Sequence, residues 1–143
     1  MTRLLFIGDI VGRPGRDLLK RGLAALVASR QIDLVIANVE NAAAGFGVTP
    51  DIADDCLECG VHVMTGGNHT WDKKEILPYF SRQPRLIRPA NMPGDGPGLG
   101  RVVVRTSRNI PVGVVNVMGR VFMTPIDDPF RVGNKSRPVV LGH

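Results

Sequence analysis

Short apolar runs and longer amphipathic stretches alternate along the first 80 residues of the chain. Three apolar runs predict strands: residues 3–8, 34–38 and 61–64. The second run is continuous, a pattern typical of a strand that is covered on both faces. Apolar residues at helical spacing predict a helix over about 16–29, between the first two runs. The order strand, helix, strand, helix, strand, helix predicts an α/β fold in which parallel strands are joined by right-handed crossovers.

Capping residues indicate where two further helices begin. Thr49 followed by Pro50 is a start signal, because threonine accepts from free backbone N–H groups and proline fits the first turn. Asp72, with Glu75 three residues later, is similar to a capping box, and we therefore predict a third helix over 72–80.

The chain changes character after Pro84, where proline and glycine become frequent. The segment 88–100 is too rich in both for a helix or a central strand, and we predict an ordered loop or a lid there. Two strands, 101–105 and 112–117, are expected to form a hairpin through a short polar turn. Residues 118–143 show no clear periodicity.

Composition limits the class of protein without identifying it. The 143 residues suit one domain, and the 43% apolar and 22% charged shares are those of an ordinary soluble protein. Neither a signal peptide nor a membrane span is predicted, so a cytoplasmic location is expected. The net charge of +5, with arginines dense between Arg82 and Arg108, suits either a solvated face or a rim that attracts anions. Sparse aromatic residues argue against a nucleic-acid polymer as the partner.

Cys56 and Cys59 lie at the end of the second expected helix, just before Gly60. A redox cysteine needs the other end of a helix, where the N-terminal N–H groups stabilise the thiolate. We therefore predict that both cysteines pack as small apolar residues and are neither a redox pair nor zinc ligands.

Polar side chains follow all three expected strands at their carboxyl ends, the edge where ligands bind in open α/β sheets. They are Asp9, Glu40, Asn41, Asn68 and His69. Carboxylate and amide oxygens suit hard divalent ions, and imidazole extends the range to iron, manganese or zinc. A carboxylate such as Glu40 suits a bridge between two ions, and a histidine suits protonation of a leaving group.

A structural role is the alternative for each of these residues. Asp9 could cap the glycine-rich loop that follows it, and Glu40 or Asn41 could hydrogen-bond loop amides, as turn residues often do. Asn68 and His69 could satisfy backbone groups at a strand end. Five donors at three successive strand ends favour a site, because polar groups cost free energy wherever they are left unpaired.

Five segments of the chain carry a further pattern in their order and spacing: Gly8–Gly12, Asn38–Asn41 with Ala44–Gly45, Gly67–Asp72, Arg88–Asn91 and Asn116–Met123. Over residues 1–132 this pattern resembles the bacterial metallophosphoesterase family of the YmdB type. The resemblance implies the N-terminal portion of a calcineurin-like metallophosphoesterase sandwich. It also implies two divalent ions, iron or manganese, and hydrolysis of phosphate esters such as 2′,3′-cyclic nucleotides.

The resemblance assigns a role to each strand-end residue. It implies that Asp9 and Asn41 hold one ion, that Glu40 bridges the two, and that Asn68 holds the second. It further implies that His69 is the proton donor.

The chain departs from the family pattern at its end. Family members continue through a second half that supplies three further metal-binding histidines, whereas this chain has only His62, His69 and His143. We expect a metallophosphoesterase domain over 1–132 followed by an atypical tail over 133–143. His62 is expected to lie in the core, and an uncovered apolar edge is expected to favour a homo-oligomer.

Three hypotheses about function follow. The first is a dinuclear metallophosphodiesterase. The second is a catalytically impaired scaffold with the same fold that binds metal or phosphate. The third, a flavodoxin-like cofactor binder that uses the glycine-rich loop, is disfavoured because a flavin site does not need the Glu-Asn and Asn-His pairs.

Overall fold

The computed structural model describes residues 1–135, which form a four-stranded parallel sheet, a two-stranded antiparallel hairpin and three helices. In chain order the elements are β1 (Leu4–Asp9), α1 (Gly12–Arg30), β2 (Leu34–Asn38), α2 (Pro50–Glu58), β3 (Val63–Thr65), β4 (Leu86–Ile87), β5 (Arg101–Arg105), β6 (Pro111–Val115) and α3 (Pro129–Lys135). α3 crosses residue 132, the expected end of the domain. Residues 136–143, which include His143, lie outside the described part of the chain.

The larger sheet confirms the prediction of parallel strands. Its order is β1-β2-β3-β4, and all three neighbouring pairs are parallel. β2 occupies the residues expected for it, and Leu34, Val35 and Ala37 are completely buried there. Its continuous apolar sequence follows from this central position, and Ile36, on the face toward the hairpin, is partly buried.

Helices α1 and α2 cover one face of the sheet. Thr49 caps α2 as predicted, since its hydroxyl oxygen accepts from the backbone N–H of Ile52 at 3.4 Å. α1 begins at Gly12, four residues before the start expected from its apolar spacing. Gly12 has φ of +54°, a left-handed conformation that glycine adopts without strain. The glycine-rich loop is therefore the first turn of the helix itself.

The prediction of a third helix over 72–80 is wrong. Two short 3₁₀ helices, Lys74–Ile76 and Pro78–Ser81, occupy part of this segment. A proline has no N–H to donate and hinders a continuous α-helix at Pro78. The carboxylate of Asp72 contacts His69 and does not cap free backbone N–H groups. The sequence also failed to predict β4, which has only two residues and lies in a proline- and arginine-rich stretch.

The hairpin β5–β6, predicted from sequence, packs against the second face of the sheet. Buried side chains from both layers form a separate small core: Val63, Ile87 and Val114. The hairpin leaves part of β1 uncovered, because Leu4 and Phe6 on this face are 51% and 63% exposed. Their neighbours along β1, Leu5 and Ile7, point to the other face and pack on the helical core.

An ion pair attaches the hairpin turn to the amino-terminal edge of the sheet. The guanidinium of Arg108 donates to both carboxylate oxygens of Asp33, at 2.8 Å and 2.6 Å, and the backbone N–H of Arg3 donates at 2.7 Å. These donors hold the pKa of the Asp33 carboxyl below its usual range. Arg108 therefore lies at the edge opposite the strand-end residues and does not form an anion-attracting rim with them.

Asp128 caps α3, a start signal that sequence analysis did not use. Its Oδ1 accepts from the backbone N–H groups of Phe130, at 2.9 Å, and Arg131, at 3.1 Å. Pro129 occupies the first helical position, as it often does. Within residues 1–135, no helix has the combination of length and apolar character that a membrane crossing needs.

Replacing Leu86 by alanine should lower the free energy of unfolding by about 2–5 kcal/mol, because a truncated buried leucine leaves a cavity. The same replacement at Leu4, half exposed on the uncovered face, should change it by about 0.5 kcal/mol or less. Urea unfolding of both variants measures the difference. Equal losses would show that the face of β1 is covered in solution.

Candidate functional site

The register of the parallel sheet aligns three polar strand ends. Asp9 pairs with Asn38, and Asn38 pairs with Thr65, so the last residues of β1, β2 and β3 lie side by side. The loops that leave these strands carry the remaining predicted residues. The expected convergence of strand ends on one edge is therefore confirmed by the register.

Asp9 and Asn41 form one part of the site. The amide Nδ2 of Asn41 donates to Oδ2 of Asp9 at 2.8 Å. The carbonyl oxygen of Asn41 accepts from the backbone N–H groups of Gly12, at 2.9 Å, and Gly45, at 3.1 Å. These bonds fix the loop between β2 and α2 against the start of α1, and they hold the Asn41 side chain beside the Asp9 carboxylate.

The side-chain oxygen of Asn41 is buried and has no hydrogen-bond partner among residues 1–135. A buried acceptor that loses water without gaining a donor costs about 1–3 kcal/mol. A cation would satisfy this oxygen, whereas the alternative role for Asn41, binding loop amides, would not leave it unpaired. Asp9 and Asn41 thus fit a divalent ion that prefers oxygen ligands.

Glu40 connects the loops that follow β2 and β3. Its Oε1 accepts from Nδ2 of Asn38, and its Oε2 accepts from the backbone N–H of His69, both at 3.3 Å. The carboxylate lies against the α-carbon of Gly67, where any β-carbon would overlap it. Glycine is therefore required at 67 for the carboxylate to take this position.

His69 and Asn68 lie in the turn that follows β3. The Asn68 side chain is exposed and makes no hydrogen bond within the described residues. The Nδ1 of His69 lies 2.6 Å from Oδ2 of Asp72, and both side chains are just over one-third exposed. The hydroxyl of Thr70 donates to the carbonyl of Gly67 at 2.7 Å and stabilises the turn. The imidazole is thus held at the surface of the crevice with Nε2 available.

The described residues supply few side chains that could hold a metal ion. Among residues 1–135, no group of three or more histidine, cysteine, aspartate or glutamate side chains is placed to hold a metal ion. His62 does not contribute, because its Nδ1 accepts from the backbone N–H of Val35 at 3.1 Å and burial lowers its pKa. His62 was expected to lie in the core, but it lies just before β3 and is only partly buried.

Neither cysteine belongs to the site. Both are free, and burial raises the pKa of the Cys56 thiol to about 11. A thiol with such a pKa is protonated near neutral pH and unreactive. Cys56 lies in the helical core, as the sequence predicted.

Three residues with supporting roles were missed in the sequence. Asn38 donates to Glu40, and Asn116 donates from Nδ2 to the carbonyl of Gly66 at 2.9 Å. Asp72 was interpreted only as a helix cap. Asn116 is the first residue of one of the five segments that carry the family resemblance, so the sequence did indicate that it matters. Nothing in the sequence shows which carbonyl its amide contacts.

An open groove of about 630 Å³ leads away from the strand-end residues, between the uncovered face of the sheet and β6. Leu4, Phe6 and Ile36 line it on the sheet side, and Glu40 and Gly67 line it at the site. The site is therefore continuous with an apolar surface.

The fold and these side chains define an α/β protein with an oxygen-rich site at the carboxyl ends of parallel strands. Residues 5–138 match the family model described as YmdB-like protein, and the chain belongs to this family. It is 44% identical over 128 residues to the 2′,3′-cyclic-nucleotide 2′-phosphodiesterase of Bacillus subtilis strain 168, and the match covers 90% of this chain and 48% of that protein. The family resemblance seen in the sequence is confirmed.

Two solved structures share the architecture. A hypothetical protein from Thermus thermophilus has a TM-score of 0.86 and 40% identity, over 94% of this chain and 52% of that one. A structure described as a novel phosphatase, from Mycoplasma pneumoniae, has a TM-score of 0.85 and 31% identity, over 94% of this chain and 50% of that one. The chain thus spans about half the length of the relatives it matches.

Replacing Gly67 by alanine should displace the Glu40 carboxylate and lower the free energy of unfolding by about 1–3 kcal/mol, the usual cost of overpacking. Gly8→Ala is the matched control, because a β-carbon at Gly8 meets nothing within 4 Å. Thermal unfolding compares the two variants, and the amide NMR signals of Asn38 and His69 report the displacement. Unchanged signals in Gly67→Ala would contradict the placement of Glu40.

Proposed function

We propose that this chain is the N-terminal half of a metal-dependent phosphodiesterase with a calcineurin-like fold. Its proposed substrates are phosphate esters such as 2′,3′-cyclic nucleotides, the class in the name of the Bacillus subtilis relative. The observation that carries the proposal is the buried, unpartnered side-chain oxygen of Asn41, a residue whose amide nitrogen donates to Asp9. No donor among the described residues satisfies this oxygen, whereas a bound cation would.

The proposed cofactor is a pair of divalent ions, iron or manganese. Asp9 and Asn41 would hold the first ion, Glu40 would bridge, and Asn68 would hold the second. Glu40 suits the bridge because both of its carboxylate oxygens lie between the two loops and accept only weak bonds of 3.3 Å. The exposed Asn68 amide is free to turn toward an ion.

Such ions, when bound, activate a water nucleophile and neutralise charge on the phosphoryl oxygens. The chain itself supplies the acid. Nε2 of His69 faces away from Asp72 and is accessible, so it suits protonation of the departing alkoxide. Asp9 and Glu40 supply the negative charge that draws cations to this edge of the sheet, on a protein whose net charge is +5.

A second candidate function rests on the short ligand set. Two six-coordinate ions need about ten to twelve donor positions, shared ligands counted twice, and waters fill only some of them. Asp9, Glu40, Asn41 and Asn68 provide too few, and the described residues add no further cluster. The 143-residue chain by itself is therefore proposed to bind at most one ion, weakly, and to act as an impaired scaffold unless further ligands are supplied.

Glu40→Gln should abolish metal binding by the chain, because it removes a charge that every proposed ion shares while keeping the size of the side chain. Glu58→Gln, at the exposed end of α2, is the control and should retain the metal content of the parent chain. Elemental analysis after manganese loading measures stoichiometry without an activity assay. Equal metal content in both variants would contradict a ligand role for Glu40, and loss of only one of two bound ions would show that Glu40 is a terminal ligand and not a bridge. Two tightly bound ions in the parent chain would contradict the expected limit.

His69→Ala should leave metal content unchanged and lower turnover by about 10²- to 10⁴-fold, the range typical of lost proton transfer. The loss should shrink for a nitrophenyl ester, whose leaving group needs no proton. Hydrolysis of a cyclic nucleotide and of the nitrophenyl ester, measured with manganese present, gives the comparison. His62→Ala is the histidine control and should affect stability more than turnover, because His62 binds the backbone of Val35. Equal losses on both esters would count against an acid role for His69.

A further inference from the structure

We infer that Asp72 is the positioning residue of His69: its carboxylate accepts the Nδ1–H of the imidazole and keeps the opposite nitrogen, Nε2, directed at the substrate. The inference rests on the proposed function for its catalytic consequence, but its structural part is independent of it. It starts from the 2.6 Å separation between Nδ1 and Oδ2, one of the shortest side-chain contacts in the described residues.

Backbone hydrogen bonds bring the two side chains together. The N–H of Thr70 donates to the carbonyl of Gly67, and the N–H of Asp72 donates to the carbonyl of His69, both at 3.3 Å. The second bond closes a turn in which residues three apart lie on one side. Asp72 therefore faces His69 because of the turn and not because of chance side-chain rotation.

Contacts on either side fix this turn to the rest of the fold. The indole N–H of Trp71 donates to the carbonyl of Pro97 at 3.1 Å, which attaches the turn to the segment between β4 and β5. The ammonium of Lys73 lies 4.0 Å from the centre of the Phe46 ring, in the loop that also carries Asn41. A side chain held by such a turn is suited to orienting another group.

The contact between Asp72 and His69 affects the proton transfer proposed for His69. In the transfer, the Nε2–H bond of the imidazolium breaks, its electron pair stays on Nε2, and the proton forms an O–H bond with the leaving oxygen. The ring is then neutral, and its remaining proton is on Nδ1, where the Asp72 carboxylate accepts it. Asp72 thus favours the one neutral tautomer that matches donation from Nε2.

The histidines of the chain offer an internal comparison. Nδ1 of His62 accepts from the N–H of Val35, so neutral His62 carries its proton on Nε2. Neutral His69 should carry its proton on Nδ1, the opposite tautomer. Long-range ¹H–¹⁵N spectra of the full chain at about pH 8.5, well above the ordinary histidine pKa of about 6.5, distinguish the two forms.

Asp72→Ala should shift His69 toward a mixture of tautomers and leave His62 unchanged. Asp72→Asn should not restore the Nδ1–H form, because its amide N–H can donate to Nδ1 and favour the opposite tautomer. Asp51→Ala, an exposed carboxylate on α2, is the control and should not affect either ring. If His69 shows the same tautomer with and without Asp72, the inference is overturned, whatever the activity of the chain.

Kinetics test the catalytic consequence. In a manganese-loaded chain that hydrolyses cyclic nucleotides, Asp72→Ala should lower kcat by about 10–100-fold, the usual effect of losing a residue that orients a site histidine, with little change in KM. Asp72→Asn should recover little of it, because an amide can donate to Nδ1 where a carboxylate only accepts, and the loss should be smaller on a nitrophenyl ester. An unchanged kcat overturns the positioning role. If the parent chain hydrolyses neither ester, the proposed function fails while the tautomer result still decides the inference.

Discussion

The parallel pairing of β1, β2 and β3 is the constraint on which the rest of the structure depends. Because these strands run in the same direction, the chain leaves the sheet at one edge three times, and each time it turns back through a loop that carries polar side chains. Burial of β2 under both layers fixes the register, since a shift by one residue would exchange its two covered faces. The site is thus a result of the same packing that makes the core.

Hydrogen bonds connect the loops of the site to one another. Glu40 joins the loop after β2 to the loop after β3, and Asn41 joins the first of these to Asp9 and to the start of α1. Gly67 permits the first connection by leaving space for a carboxylate. The structural interpretation of Glu40 is therefore partly right, since its carboxylate does accept from a loop amide, and the ligand roles of Glu40 and Asn41 stay predictions.

Sequence periodicity predicted the parts of the fold in which burial determines the residue type. β2 was predicted at its observed bounds because its apolar residues are covered from both sides, and Thr49 caps α2 as its type indicates. The third helix failed because capping signals at Asp72 and Glu75 say nothing of a competing partner three residues upstream. The candidate site was predicted to the level of which strand ends meet, since parallel strands place their ends together. The contacts between Asn116 and Gly66, and between Asp72 and His69, depend on loop conformations that no local pattern specifies.

The ion pair between Asp33 and Arg108 gives the molecule an acid-labile second layer. The pKa of Asp33 is lower in the folded chain than in an unfolded one, so this carboxylate adds stability above its unfolded pKa of about 3.9 and loses it as pH falls through the folded pKa. Protonation there would weaken the attachment of the hairpin turn at the amino-terminal edge, where the N–H of Ser107 still donates to the backbone carbonyl of Asp33. At the opposite edge, Asn116 attaches the chain after β6 to Gly66 through an amide and a carbonyl that carry no charge, so acid weakens the second layer at one end only.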